Sequence, residues 1–215
     1  MEKTTKSPWP VCFGSAVQCS VTYVFFAFLS YAKYPLPISP FRNWLSDLGD
    51  QIVNPKGAVF YNLGVILTAL CLAIWFTAGL FQWRIKGNAA HQRLLLISQA
   101  AGVLSALALT MSALFPINLL QVHSFWSRIH FMMFGMGFGF SVAALRYHPG
   151  FTRASLYLGI CTAIMPSLML VFSQAYVLEW LAVACIIAYV LSIGIASLSF
   201  TTTEPRTWIS SSVNP

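Results

Sequence analysis

The side chains equipped for chemistry are few and fall near one end of the helices a hydropathy reading draws. The segment Ser46-Asp47-Leu48-Gly49-Asp50 holds two of the chain's five acidic residues. His123, Arg128, His130 and Glu179 reach the same end from later segments. An imidazole beside a carboxylate can take and return a proton or share a metal ion. Asp47 and His123 are therefore the candidate catalytic residues, with His123 as general base or metal ligand and Asp47 orienting it. A divalent metal such as zinc, if one is used, would be held by the same two. Arg128 suits a phosphate or another anionic headgroup. With Ser46, Asn62, His130 and Glu179 it makes up the candidate substrate-binding set.

Spacing limits these roles. Ser46 and Asp47 are adjacent, so on a helix they point about 100° apart and do not meet on one substrate atom. Ser46 has no GxSxG context for a nucleophilic serine. His123 and His130 share a helix face, but seven residues rise about 10.5 Å, whereas zinc-binding histidines on one helix are usually spaced i, i+4. One metal between both would be strained, which makes His123 with Asp47 the better pair. Asp47 is expected to meet His123 or Arg128 from across the fold. The competing expectation is a clasp, in which that contact only fastens the loop. Glu179 alone reads as a solvated residue at a helix start, and Asp50, past Gly49, as a bystander. No phosphate loop, dinucleotide fingerprint or haem motif is present.

The elements that must position these groups are membrane spans. Of 215 residues, 58% are hydrophobic and 8% charged, against about 25% charged in soluble chains. Mean hydropathy is +0.73. Runs of roughly 20 apolar residues cross the hydrocarbon layer. Six candidates lie near 11–31, 57–82, 93–115, 125–146, 153–173 and 176–199, with ends uncertain by about 2–4 residues. None alternates as a barrel strand does. The first follows Lys3 and Lys6, and its length favours a retained helix over a signal peptide.

The formal charge of +7 sits mostly at span ends, as membrane anchors do, which argues against nucleic acid as a partner. With the N-terminus inside, eight Lys and Arg fall on the cytoplasmic side and four opposite, so both termini are expected there. The expected organisation is a cytoplasmic tail over 1–10, a six-span domain over 11–200 and a cytoplasmic tail over 201–215. Trp83, Trp126 and Trp180 suit interfacial belts, and His91 and His148 read as interfacial. The five cysteines lie in apolar spans without a CxxC and read as small buried hydrophobes. Gly135 and Gly139 form a GxxxG, Ser98, Gly102 and Ala106 a small-residue stripe, and Pro166 a kink in the fifth span.

The first loop carries its own start and stop signals. Ser39-Pro40 opens a helix and Gly49 closes it. A short interfacial helix near 40–48 would turn Phe41, Trp44, Leu45 and Leu48 to one face.

Pro37-Ile38-Ser39-Pro40 and Asn43 to Gly49, followed by Asn54-Pro55, Phe60 and Asn62, then Phe115-Pro116 and His123, resemble a known pattern. The chain is similar to the six-span proteins named by a domain of unknown function (DUF nine-nine-eight), within the wider FRAG/DRAM/SFK-type membrane family. The resemblance implies a six-helix bundle. It also implies a relationship to proteins that act in lipid remodelling, autophagy or membrane organisation. Ceramidase-type lipid hydrolases differ, with seven spans and more closely spaced histidines. The expected protein is an all-α six-helix membrane bundle with an outward-facing polar pocket that binds or modifies a membrane lipid. Its alternative is a non-enzymatic structural or interaction protein, and a transporter is weaker, since mid-membrane ionisable residues are limited to His130.

Overall fold

The computed structural model describes residues 10–172 and 175–199. The expected tails lie almost wholly outside these residues. Six helices follow one another: α1 (Val11–Tyr31), α2 (Ala58–Gly79), α3 (Ala89–Leu114), α4 (Leu120–Leu145), α5 (Arg153–Val171) and α6 (Tyr176–Ser197). Each is long and apolar enough to cross a bilayer, and no strand forms among the described residues. The chain is thus an all-α polytopic membrane protein. Each helix packs on its neighbours in sequence, and α6 returns to α1, so the bundle closes as a ring. Connections 32–57 and 115–119, with Phe172 and Ala175, lie at one end, here the loop face, and 80–88 and 146–152 at the other.

The two ends are packed differently. Toward the far end the ring is filled by Trp75, Phe76, Phe134, Phe138 and Tyr189, all buried. Phe138 has ring centroids at 4.5 Å from Phe134, 5.1 Å from Phe76 and 5.5 Å from Tyr189. A π turn over Trp75–Gly79 widens α2 there, which turns two adjacent aromatics inward together. Gly102 of α3 accommodates the Phe76 ring, where any Cβ would collide. The α3 stripe meets α4: Ser98 donates to the Gly137 carbonyl at 2.8 Å. The GxxxG faces α5 instead, Gly135 lying against the Ala163 carbonyl. Helix α5 runs through Pro166 to Val171.

Several expectations change. Helix α3 starts at Ala89, because the Asn88 side chain accepts from His91 N at 3.0 Å and caps a polar first turn that a hydropathy window passes over. Likewise α4 starts at Leu120, taking His123 into the helix. His91 is not interfacial but buried, its Nδ1 3.1 Å from the Ala144 carbonyl and its Nε2 3.2 Å from that of Trp83. Trp83 belongs to the core and not to a belt. Cys12 and Cys19 are buried, but Cys161 faces outward from α5.

The expected loop helix shrinks to one 3-10 turn, Leu45–Gly49. Ser39 and Pro40 instead open a turn closed by Asn43 N on the Ser39 carbonyl at 2.9 Å. Trp44 is extended after it. Leu45 and Leu48 are buried as expected, while Phe41 is 77% exposed.

Candidate functional site

Helix α6 fastens the first loop to the bundle through its opening turns. Glu179, only 8% exposed, accepts from Leu45 N at 2.6 Å and from Ser46 N at 3.3 Å, with the Ser46 hydroxyl at 3.5 Å. A 3-10 turn leaves its first N–H groups without internal partners, and the carboxylate satisfies two of them. Trp180 Nε1 donates to the Asn43 carbonyl at 3.0 Å, and the Tyr176 ring packs edge-on against Trp44 at 4.7 Å. Glu179 is therefore a buried ligand of the loop and not a solvated helix-start residue. The spacing Tyr176, Glu179, Trp180 is one helix face and was a readable signal.

The loop's far end is held by α1 and α2. Asn54, fully buried, donates to the Leu48 carbonyl at 2.9 Å and the Ser30 hydroxyl at 3.0 Å. Ser30 donates to the same Leu48 carbonyl at 2.9 Å. Asn62 Nδ2 donates to the Gly49 carbonyl at 3.0 Å. Gly49 lies so close to Asn62 and Tyr61 that a Cβ would collide. Gly49 thus serves close approach to α2 as well as ending the turn.

Asp47 looks inward on its own turn. Its Oδ2 accepts from Trp44 N at 3.0 Å and lies 3.5 Å from Asn43 Nδ2. Burial pushes its carboxyl up from the usual carboxylate range. The Asn43 and Trp44 hydrogen bonds oppose this, the Asp50 charge adds to it and the His123 charge works against it. The expected contact with His123 or Arg128 is replaced by this local cap. Burial, followed by the Asp47 and Asp50 charges, also raises the Tyr34 hydroxyl. Asp50 caps the next turn, accepting from Ile52 N at 2.7 Å and Val53 N at 3.0 Å.

The two histidines of α4 are oriented by α3. His123 Nδ1 lies 2.9 Å from the Ser112 carbonyl and 3.0 Å from that of Phe115. Facing two acceptors, Nδ1 holds a proton, so in the neutral ring the lone pair falls on Nε2. His130 Nδ1 meets Ser105, with the hydroxyl at 2.9 Å and the carbonyl at 3.1 Å. The orienting role expected of Asp47 thus falls to backbone carbonyls. Ser105, seven residues past Ser98, continues the α3 stripe, which was the signal for it.

Beneath the loop lies a cavity of about 840 Å³, walled by all six helices. Ser46, Asn62, His123, Arg128, His130 and Glu179 line it, and Asp47 does not. Much of the wall is apolar, including Val65, Leu72, Leu109, Phe134 and Ile186. Tyr23 and Tyr61, hydroxyls 3.2 Å apart, and Ser127 and Thr68 add polar points that the sequence reading missed. His123, Ser127, His130 and Phe134 fall at i, i+4, i+7 and i+11, one face of α4.

The cavity is a preformed container with an imidazole lone pair at its wall, suited to general-base work on a bound hydroxyl or water. A protein-held zinc fits less well. Among the described residues no three His, Cys, Asp or Glu side chains gather to hold a metal, and catalytic zinc usually takes three protein ligands.

No protein-family model, curated protein or solved structure matches this chain.

Proposed function

We propose that this membrane protein binds, and through His123 modifies, a lipid in its central cavity. The observation that carries the reading is the cavity's character. It is about 840 Å³, within the ~300–1,000 Å³ of ordinary small-molecule sites. Its wall is mostly apolar, and most of its polar groups lie toward the loop face, with His130 and Thr68 deeper, which suits an amphiphile with a chain and a headgroup. The resemblance drawn from Pro37-Ile38-Ser39-Pro40, Asn43 to Gly49, Phe115-Pro116 and His123 points the same way. The excess of Lys and Arg on the far face supports cytoplasmic termini and a loop face turned outward. His123, oriented by two carbonyls, is the general base of this proposal. Ser46, Asn62, His130 and Glu179 border the ligand, and Asp47 acts by shaping the turn above it.

The test is lipid carried through purification. Native mass spectrometry of the wild-type protein should show one bound lipid. Ser127→Phe, which places a ring in the cavity, should lose it while the melting temperature stays within a few degrees. Equal lipid occupancy in both proteins removes the reading.

A second reading has its own observation. The Glu179 carboxylate on Leu45 N and Ser46 N is what a pure clasp requires, so a structural protein whose polar groups only secure the loop is the alternative. It expects no lipid in the cavity of either protein.

A further inference from the structure

The seam between α4 and α5 carries a charge that no described residue matches. Arg128 is exposed, and no hydrogen bond or ion pair engages it among the described residues. The described carboxylates are occupied elsewhere: Asp47 on Trp44 N, Asp50 on Ile52 N and Glu179 on Leu45 N. Helix α4 has 26 residues, about 39 Å at ~1.5 Å each, against a hydrocarbon layer of ~30 Å. Arg128 stands about 12 Å from the helix start. It therefore lies roughly 3–12 Å below the headgroup boundary, depending on how the overhang divides. A guanidinium at that depth reaches up to the headgroup level or pairs with an anion within the layer, and no described carboxylate of this chain reaches it.

Its surroundings indicate where the anion comes from. Gln121, Ser124 and Arg128 share one face of α4 and line a surface groove of about 550 Å³ closed on its other side by Leu170 of α5. Leu120, Ser124, Arg128 and Leu170 border both this groove and the central cavity. The α4–α5 seam is therefore where the cavity and the lipid-facing groove adjoin.

A second observation lies inside. Thr68 is 4% exposed, lines the cavity, and its hydroxyl has no hydrogen-bond partner. Helical threonines ordinarily bond the carbonyl one turn back, as Thr110 and Thr162 do here. Thr68 stands about 15 Å from the start of α2, close to the depth of Arg128 on α4. A ligand's ester or hydroxyl at that level would satisfy it.

Resting on the reading of the cavity as a lipid site, we propose that the ligand is a phosphate-bearing lipid. Its phosphate sits on Arg128 at the α4–α5 seam beside Gln121 and Ser124. Its glycerol–ester region lies level with Thr68, and a chain enters the cavity through the seam. Arg128 forms the bidentate contact that planar guanidinium makes with phosphate.

The test uses the full chain in detergent, titrated with phosphatidate, with diacylglycerol of the same chains and with inorganic phosphate. Binding is counted by native mass spectrometry. Wild-type protein should bind one phosphatidate at least tenfold more tightly than diacylglycerol, and inorganic phosphate should not compete. Arg128→Gln should lose that tenfold or more, and Arg128→Lys should recover only part of it. Because Arg128 is exposed and has no partner among the described residues, both variants should melt like the wild type. Equal binding of the two lipids, or no loss in Arg128→Gln, overturns the phosphate assignment while leaving a lipid cavity in place. Competition by inorganic phosphate would make free phosphate the ligand and overturn the lipid assignment. Wild-type and Ser127→Phe proteins that bind neither lipid would end the cavity reading itself.

Discussion

Removing the Glu179 carboxylate should release the first loop before it disturbs the helices. The buried Leu45 N–H donates to it at 2.6 Å, and a hydrogen bond to a charged group contributes about 1.5–3 kcal/mol. The longer contact from Ser46 N, at 3.3 Å, adds less. Relief from burying a carboxylate offsets part of the loss, so Glu179→Ala should cost roughly 2–3 kcal/mol. For a chain of this length each kcal/mol moves the midpoint by about 2–4 °C, which gives a drop of roughly 4–12 °C. Glu179→Gln keeps an acceptor and should lose about 1 kcal/mol. The assay is thermal unfolding in detergent together with limited trypsin digestion. Arg42, beside the clasped residues, should become a faster cleavage site in Glu179→Ala. Unchanged melting and unchanged cleavage at Arg42, with the damage appearing in Asp47→Ala instead, would refute the assignment of the clasp to α6.

Four further outcomes follow from particular contacts. Burial raises the Asp47 carboxyl, so its contribution to stability is fully present below the unfolded value of about 3.9 and is lost as pH rises through the folded value. Asp47→Asn should therefore gain on the wild type in melting temperature as pH climbs from about 4 toward 7, and a constant difference would contradict this. Burial first, then the His91 charge, lowers His148, whose Nδ1 accepts from Gly150 N at 3.1 Å. Its contribution should be present above the unfolded value of about 6.5 and fade as pH falls through the folded value, a slope that His148→Gln should flatten. Gly102→Ala drives a Cβ into the Phe76 ring and should cost about 1–3 kcal/mol, partly restored by Phe76→Leu in a double-mutant cycle. Thr68→Val removes a hydroxyl without a partner, so the ligand-free protein should melt within about 0.5 kcal/mol of the wild type while phosphatidate binding weakens.

The spans were legible because the bilayer demands long apolar runs, and isolated polar residues such as Arg128 do not break them. Their starts were less so. At Asn88 and Leu119 the chain becomes helical several residues before it becomes apolar, because a helix end is decided by caps and local hydrogen bonds. The same gap explains His91 and Trp83. Hydropathy places both near an end of a span, but whether an end residue faces lipid or its neighbours depends on packing against the Ala144 carbonyl and the α1 terminus. The loop helix failed for a related reason: Trp44 must extend to reach Tyr176, and tertiary contact overrode a capping signal worth about 1 kcal/mol.

At the site, residue types were readable and partners were not. Asp47 and Glu179 are both carboxylates near the loop face, and although Tyr176, Glu179 and Trp180 share a helix face, that spacing does not name a partner 134 positions away. The structure resolves the choice through backbone valence. The turn at Leu45–Gly49 presents free N–H groups toward α6, so the carboxylate already on α6 takes them, and Asp47 is left to cap its own turn. This rearrangement separates two jobs that the sequence reading had merged. Fastening the loop falls to Glu179, Trp180, Asn54 and Asn62, whose partners are mainly backbone atoms. Among the described residues, the Nε2 of His123, the hydroxyl of Thr68 and the guanidinium of Arg128 take no part in that fastening, and all three border the same cavity. They are the groups on which the proposed ligand site and the loop clasp part company, since only the former gives them a partner.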